Sequence, residues 1–218
     1  MVLKSFGCSF IFGSELHDDG WGGPYATASN HTWPALWAKH LSLPYCCYAK
    51  PGSGNIRIAE QVLNQLCTNE PAFYVIGWTW IERFDFVQRP RDSWCTITAW
   101  DSDDIAKSYY RDLHSQYLDK LHGLIAISLV LQQLKKQGCQ YYMTYMDSLL
   151  FETEFHCSDA MKLLQQDLQS QLHNFDGENF LEWSRIQGFP IGTRGKHPLE
   201  LAHRSAFEYV SHRFTPNF

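Results

Sequence analysis

The amino-acid sequence predicts a three-layer α/β/α fold of the α/β class, with a mainly parallel, flavodoxin-like sheet of four or five strands. Short β-type runs alternate with helical runs, and residues 72–77 form a continuous apolar run bounded by turn residues. Strands that alternate with helices build a parallel sheet covered on both faces, and its buried strands are apolar throughout. No repeat or Pro/Gly-rich linker divides the 218 residues, so we expect residues 1–218 to form a single domain.

The amino-terminal third of the chain predicts three strands and two helices. A helix is expected from Trp33, because Thr32 suits the N-cap, Pro34 suits the first turn, and apolar residues follow at helical spacing. A second helix is expected to follow the glycine-rich segment 52–55. The strands are expected at residues 2–6, 45–49 and 72–77.

The remainder of the chain predicts one more strand and three helices. Residues 78–104 look irregular and are expected to form an elaborated loop. Apolar residues then step by four from residue 105, which indicates one long helix to residue 136, ended by Gly138. The other elements are expected at residues 139–146 (strand), 158–172 (helix) and from Pro198 onward (helix). In such a fold the loops that follow the strands meet at the carboxyl edge of the sheet, where ligands bind.

The charge of the chain argues against several classes of partner. The formal net charge is −5 and the isoelectric point is near 6.0, so we expect neither nucleic acid nor a membrane as a partner. The longest apolar stretch, residues 124–131, is interrupted by Ser128 and is too short to span a bilayer. The first residues lack the apolar core of a secretory signal, so a cytoplasmic location is expected. Nothing in the sequence indicates the oligomeric state.

The cysteines and aromatic residues add two further expectations. Seven cysteines, none in a Cys-x-x-Cys pair, are typical of reduced thiols in a cytoplasmic protein, so we expect no metal site and no cofactor. Four of the eight tryptophans lie within 23 residues, which suits either ordinary core and loop packing or an aromatic wall around a substrate crevice. The four are Trp78, Trp80, Trp94 and Trp100.

Four segments carry the chemistry that the sequence offers. Gly7-Cys8-Ser9 follows the first strand, where a tight turn exposes a serine hydroxyl. The glycine-rich segment 49–55 precedes a helix, so its backbone can approach a ligand and its N–H groups can stabilise negative charge. Gly77-Trp78-Thr79-Trp80 ends the third strand with Arg83 shortly after, and His197 lies just before the last helix.

Together these segments resemble the blocks of the SGNH/GDSL hydrolase family, and the resemblance runs from residue 3 to about residue 210. It implies that Ser9 is the nucleophile and His197 the catalytic base. The oxyanion hole would consist of the N–H groups of Ser9 and Gly52 with the Thr79 hydroxyl. Trp78, Trp80 and Arg83 are the candidates for substrate contacts.

The same resemblance implies a function class. Family members are esterases, lipases, carbohydrate deacetylases and thioesterases that need no metal, so the expected substrate is a small ester or an acylated glycan. The residues of these blocks look most like those of uncharacterised SGNH-like proteins of phages and their bacterial hosts. For a phage-encoded chain, the location would be the host cytoplasm or the virion.

Three positions depart from the family pattern. Cys8 replaces an Asp that precedes the nucleophile, and Thr79 replaces an Asn of the oxyanion hole. Arg194 stands three residues before His197, where the family has the Asp that orients the histidine. We therefore expect a Ser–His dyad in which Nδ1 of His197 donates to a main-chain carbonyl of residues 192–195 or, as a remoter substitute, to Asp147, and in which the Arg194 side chain turns outward.

Other interpretations remain open at this point. Ser9 suits a simple turn cap, and His197 suits a surface histidine beside a helix-starting proline. The chain would then be a catalytically weak or inactive SGNH-fold binding or assembly protein. A thiol enzyme that uses Cys8 is disfavoured, because the Cys8 side chain should point away from the crevice.

Overall fold

The computed structural model describes residues 1–19, 26–89 and 93–217. Within them, five strands form one parallel sheet in the spatial order β2-β1-β3-β6-β7, and β4 and β5 form a separate antiparallel hairpin. The strands are β1 (Val2–Phe6), β2 (Tyr45–Cys47), β3 (Ala72–Trp78), β4 (Phe84–Gln88), β5 (Ser93–Ile97), β6 (Gln140–Tyr145) and β7 (Leu172–His173).

Eight α-helices connect or flank these strands in the described part of the chain. They are α1 (Ser9–Phe12), α2 (Trp33–His40), α3 (Asn55–Leu66), α4 (Asp104–Asp112), α5 (Gln116–Lys136), α6 (Asp159–Gln169), α7 (Phe180–Ile186) and α8 (Glu200–Arg213). A single 3-10 turn, Ser148–Leu150, follows β6.

The hydrophobic core lies on both faces of the sheet. Every residue of β1 and β3 is buried, and successive side chains alternate between two apolar clusters. Val2 and Phe6 pack with α3, α5 and α6, whereas Leu3 packs with α2, α7 and α8. The prediction of a three-layer α/β/α fold with a mainly parallel sheet of four or five strands is therefore confirmed, and the sheet has five.

The prediction of an elaborated loop over residues 78–104 is wrong in part, because this stretch contains the β4–β5 hairpin. Residues 90–92, between its two strands, lie outside the described residues. The prediction of one helix over residues 105–136 is wrong too, because two helices, α4 and α5, lie there and are separated at residues 113–115. The hydroxyl of Tyr110 in α4 donates to the carbonyls of Glu82 and Ile97 beside the hairpin. By contrast, α5 packs on the sheet. The two helices therefore contact different parts of the fold, although apolar residues recur at helical spacing through both.

The other expected helices and strands lie close to their predicted bounds. The sequence did not predict α1, β7 or α7, and Leu172, expected at the end of a helix, begins β7. Thr32 caps α2 by accepting a hydrogen bond from the N–H of Ala35, and Gly138 follows α5 with φ +65°. The last helix starts at Glu200 rather than at Pro198, because Pro198 forms an isolated bridge with Ile191. All seven cysteines are free. In the described ranges, no helix combines the length and the apolarity that crossing a bilayer requires.

Candidate active site

The turn between β1 and α1 presents Ser9 at the carboxyl edge of the sheet. Ser9 is the first residue of α1, and only 6% of it is exposed. The preceding turn needs glycine, since Gly7 has φ +153° and an added Cβ would lie 2.8 Å from the carbonyl oxygen of Gly77. Because the first N–H groups of a helix have no intrahelical acceptor, the start of α1 can offer donors beside the Ser9 hydroxyl.

The loop before α8 brings His197 to the same edge. The loop is closed like a hairpin, with the N–H of Gly192 donating to the carbonyl of His197 at 2.8 Å. The His197 side chain is buried, and its ring centroid lies 5.0 Å from that of Phe10, the residue next to Ser9. The predicted base therefore packs against the residue that follows the predicted nucleophile.

A glutamate that the sequence analysis did not single out holds the histidine. Nδ1 of His197 lies 2.8 Å from Oε2 of Glu15, and the two side chains are 9% and 8% exposed. The prediction that Nδ1 of His197 donates to a main-chain carbonyl of residues 192–195 is therefore wrong. The prediction of a dyad without a carboxylate is wrong as well. Asp147 is not the partner either, because its carboxylate accepts from the N–H groups of Ile81 and Leu149.

The same carboxylate organises the whole histidine loop. Glu15 accepts hydrogen bonds from the main-chain N–H groups of Arg194 (2.8 Å), Gly195 (2.8 Å) and His197 (3.1 Å). Burial alone would raise the pKa of Glu15, but these bonds and the His197 ring outweigh it and lower the pKa to about 2. Glu15 is consequently ionised at neutral pH, and Nδ1 of His197 carries the proton that it donates. In this tautomer Nε2 of His197 is the ring nitrogen that can accept a proton.

The backbone around this pair is shaped to admit the carboxylate. Glu15 and Lys196 both have positive φ, at +71° and +60°, which is uncommon for residues with a side chain. A Cβ at Gly192 would lie 2.5 Å from the carboxyl carbon of Glu15. Unusual conformations of this kind persist where the surroundings impose them, and they cluster at functional sites. As expected, Arg194 is exposed, so its charge does not oppose the pair.

The glycine-rich turn lies against the nucleophile turn. The N–H of Lys50 donates to the carbonyl of Gly7 at 3.0 Å, which joins the two turns. Gly52 has φ +81° and is exposed, and its N–H makes no hydrogen bond to any described residue. By contrast, the N–H of Gly54 donates to the carboxylate of Asp85 at 3.0 Å. The main-chain N–H of Gly52 thus has no acceptor among the described residues, whereas the N–H of Gly54 is already bonded.

Thr79 follows β3 and is held by Asn55, the first residue of α3. Its N–H donates to the Asn55 amide oxygen at 2.9 Å, and its carbonyl accepts from the Asn55 amide nitrogen at 3.1 Å. The Thr79 hydroxyl is buried and has no hydrogen-bond partner among the described residues. A buried unpartnered hydroxyl is costly, which is consistent with a partner that arrives with the substrate.

Solved structures of low sequence identity share this arrangement of strands and helices. TesA aligns over 96% of this chain and 96% of its own, with a TM-score of 0.54 and 14% identity. The acetyl xylan esterase AlAXEase aligns over 99% of this chain and 100% of its own, with a TM-score of 0.51 and 10% identity. The chain has the SGNH/GDSL hydrolase fold.

A third structure is longer than this chain. It is a carbohydrate esterase family 2 enzyme plus carbohydrate binding domain from Corynascus thermopiles (Myceliophthora fergusii), with a TM-score of 0.54 and 16% identity. The alignment covers 97% of this chain but 64% of that protein, so this chain spans less than two thirds of its length. The sequence matches no protein-family model and no curated protein. At such identities the likeness establishes the SGNH/GDSL fold and not the activity.

The three candidate substrate contacts have different surroundings in the SGNH/GDSL fold. Trp78 is fully buried in the core cluster that includes α3 and α5, so the prediction that it contacts substrate is corrected here. Trp80 is half-buried, and its ring lies 5.5 Å from that of Phe10. Arg83 stacks over Trp80 at 5.0 Å and donates to the carbonyl of Ser53. Trp80 is therefore the aromatic residue of the three that borders the site.

Sequence reasoning missed three residues that shape the candidate site. Glu15, Asn55 and Asp85 each hold a loop that carries a predicted functional group. Glu15 lies six residues after Ser9, close to Asp18 and Asp19, and no spacing rule distinguishes it from them. Asn55 was visible as the end of the glycine-rich segment, but its bonds to Thr79 join residues 24 positions apart.

Proposed function

We propose that the protein is a serine hydrolase of carboxylic esters that uses Ser9, His197 and Glu15 as a catalytic triad. The single observation that carries the proposal is the contact of 2.8 Å between His197 Nδ1 and Glu15 Oε2, both buried, at the sheet edge where Ser9 begins α1. Triads are recognised by geometry and roles, and an acid that orients the histidine can come from any part of the chain.

In the first half of the reaction, Ser9 Oγ attacks the ester carbonyl carbon while His197 Nε2 takes the hydroxyl proton. The electron pair of the carbonyl moves to its oxygen, and a tetrahedral intermediate forms. When the intermediate collapses, the C–O bond to the alcohol breaks and His197 returns the proton to the departing oxygen. Glu15 keeps the imidazole in the productive tautomer and stabilises the imidazolium.

In the second half, water replaces the alcohol. His197 takes a proton from water as the water oxygen attacks the acyl carbon. Collapse of the second intermediate breaks the bond to Ser9 Oγ, which regains a proton from His197, and the acid leaves. The protein supplies no redox equivalent in either half.

The oxyanion would be bound by the N–H groups of Ser9 and Gly52 and by the Thr79 hydroxyl. The free Gly52 donor and the unpartnered, buried Thr79 hydroxyl support this assignment. Preorganised donors of this kind are often the largest contribution to acyl-transfer catalysis. Asn55 fixes the main chain of Thr79, so that donor is rigid before substrate binds.

For the substrate we propose a small ester, with an acetylated carbohydrate as the favoured class. Trp80 offers a half-buried ring beside Phe10 and so could stack on a sugar face. Two of the structures that share the fold are an acetyl xylan esterase and a carbohydrate esterase. The single-domain organisation, the cytoplasmic location and the association with phages stay predictions.

The competing proposal is a binding or assembly protein on the same fold. Two sequence features favoured it, Arg194 in place of an acid and Thr79 in place of Asn. Glu15 supplies the carboxylate that Arg194 does not, which removes the stronger of the two. Thr79 retains a hydroxyl donor, so the hydrolase is the better supported function.

The test is hydrolysis of p-nitrophenyl acetate and of acetylated xylan by the purified chain, with Ser9→Ala as the test variant. Loss of the nucleophile should reduce kcat by at least about 10³-fold. Ser128→Ala is the matched control, because Ser128 is also buried but lies in α5 on the other face of the sheet. Equal activity in wild type and Ser9→Ala, or no activity in a folded wild type, would support the binding protein instead.

A further inference from the structure

A cluster of side chains that can bind a metal ion lies a few residues beyond Glu15, the proposed catalytic carboxylate. His17, Asp18 and His31 place one ligand atom each within 4.8 Å of one another. These residues belong to the segment that follows Glu15 and to the segment that precedes α2. The cluster takes no part in the chemistry proposed for Ser9 and His197.

His17 is oriented as a metal-binding histidine would be. Oε1 of Glu200 lies 2.9 Å from Nδ1 of His17 and 2.9 Å from its main-chain nitrogen. Donation from Nδ1–H to this carboxylate fixes the tautomer and leaves the lone pair on Nε2. A carboxylate that accepts from the far nitrogen is the usual second partner of a metal-bound histidine, and it also raises the basicity of the ligand.

Local hydrogen bonds hold the side chain of Asp18 and the main chain of His31. The N–H of Asn30 donates to Oδ2 of Asp18 at 2.9 Å, and the N–H of His31 donates to Ser29 Oγ at 3.0 Å. Nε2 of His31 lies 3.8 Å from Oδ2 of Asp18. The rings of His17 and His31 are 4.3 Å apart at the centroids. Two imidazoles and a carboxylate therefore converge on one small volume.

We propose that His17, Asp18 and His31 bind one divalent transition-metal ion of the zinc class, with Glu200 orienting His17. Two imidazole nitrogens and one carboxylate oxygen are donors that Zn²⁺ and its neighbours Co²⁺ and Ni²⁺ accept, whereas Mg²⁺ and Ca²⁺ prefer oxygen alone. Three protein ligands leave at least one coordination position for solvent.

The geometry requires only a small contraction of the cluster. Ligand atoms about 2.0–2.1 Å from Zn²⁺ lie about 3.4 Å from one another in a tetrahedral site. Asp18 and His31 are already close to that separation. The His17 side chain is 64% exposed, so its ring can move toward the other two without disturbing the core.

The ion would fasten the segment that carries Glu15. His17 lies two residues after Glu15, and through Glu200 it contacts the first turn of α8, directly after the His197 loop. A metal bound to residues 17, 18 and 31 would thus brace the loop on which the triad depends. The expectation of no metal rested on the spacing of the cysteines. His17 and His31 lie 14 positions apart, so their spacing does not indicate a metal site.

The experiment measures metal binding directly and does not depend on esterase activity. The full-length chain without a histidine tag, freed of metal with EDTA, is dialysed against ZnCl2, and bound zinc is measured by mass spectrometry of the metal. A parallel titration with CoCl2 follows the visible absorption bands of tetrahedral Co²⁺. We expect one equivalent of zinc, and a rise in Tm because the ion binds the folded state.

Three variants assign the site. His31→Ala and His17→Ala should each weaken zinc binding by more than about 100-fold, and Glu200→Gln by about 10–100-fold, as for a residue that orients a ligand. His212→Ala is the matched control, since His212 is an exposed histidine at the far end of α8, and it should bind as wild type does. Circular dichroism verifies that each variant is folded. No stoichiometric zinc in the wild type, or unchanged binding in the folded His31→Ala and His17→Ala variants, would overturn the proposal.

Discussion

His197 and Glu15 lie 182 positions apart in the sequence, yet Nδ1 of the histidine is 2.8 Å from Oε2 of the glutamate. Three main-chain N–H groups of the histidine loop donate to the same carboxylate. Glu15 is thus both the group that fixes the imidazole and the group that fixes the loop. A single carboxylate therefore couples the geometry of the base to the local stability of the site.

Replacing Glu15 with Gln should lower kcat by about 10²–10⁴-fold, because an amide can stabilise the wrong tautomer of His197 and cannot balance the imidazolium charge. KM should change far less, since Glu15 does not touch the substrate. The measurement is steady-state kinetics on p-nitrophenyl acetate, with Glu182→Gln, whose side chain lies on the solvent side of α7, as the matched control. A folded Glu15→Gln variant with wild-type kcat would show that Glu15 is only structural.

Restoring an acid at the family's usual position should bring no benefit. Arg194 is exposed and Glu15 already fills the role of the acid, so Arg194→Asp is expected to leave kcat unchanged or to lower it. The new carboxylate would be exposed to solvent, as the Arg194 side chain is, and would not take the place of Glu15 on the His197 ring. Comparison of kcat for the two proteins at equal Tm checks this. An increase in kcat would mean that the Glu15 contact does not serve the reaction.

Thr79→Val separates a catalytic hydroxyl from a merely buried one. The substitution keeps the shape and removes an unpartnered hydroxyl, so the free energy of unfolding should stay the same or rise. If the hydroxyl stabilises the oxyanion, kcat should nevertheless fall by about 10²–10³-fold. Thr79→Ser, which keeps the donor, should retain most of the rate. Equal rates in the Val and Ser variants would remove Thr79 from the oxyanion hole.

A buried histidine in α8 should make the protein sensitive to acid. Burial, the largest effect, lowers the pKa of His203 to about 3, and its Nδ1 accepts from the N–H of Trp33. Because the unfolded chain protonates this histidine near pH 6.5 and the folded chain does not, its contribution to the free energy of unfolding is lost as the pH falls from about 6.5 toward 3.

The measurement is urea unfolding of wild type and His203→Gln between pH 4 and pH 8, chosen as about the range in which histidine titrates when unfolded. The glutamine keeps an acceptor for Trp33 but cannot be protonated. We expect a lower free energy of unfolding for the variant at pH 7, and a smaller loss on acidification. Parallel pH curves for the two proteins would contradict the assignment of this sensitivity to His203.

Local patterns predicted the sheet and most helices because those elements bury complete apolar faces. The run at residues 72–77 became part of β3, and the N-cap Thr32 starts α2 as expected. Predictions failed where contacts distant in sequence decide the outcome. The break before α5 depends on α4, whose Tyr110 hydroxyl donates to the carbonyl of Glu82, 28 positions earlier and beside the β4–β5 hairpin.

In the candidate site, too, residues with a local sequence signal were predicted and a residue placed by distant contacts was not. Ser9 and His197 follow local signals, a glycine turn after a strand and a histidine before a helix, and both lie at the expected edge. Glu15 has no local signal. It lies in a positive-φ turn whose role becomes visible only when the histidine loop, 179 positions away at Arg194, folds over it.

The proposed function depends above all on Ser9 as a nucleophile that His197 activates. The most direct test is to treat the purified chain with a fluorophosphonate, which phosphonylates activated serines, and to locate the label by peptide mass spectrometry. We expect one label per chain, on Ser9, that is lost in Ser9→Ala and strongly slowed in His197→Ala. A folded wild-type chain that takes no label, or takes it on another residue, would contradict the account.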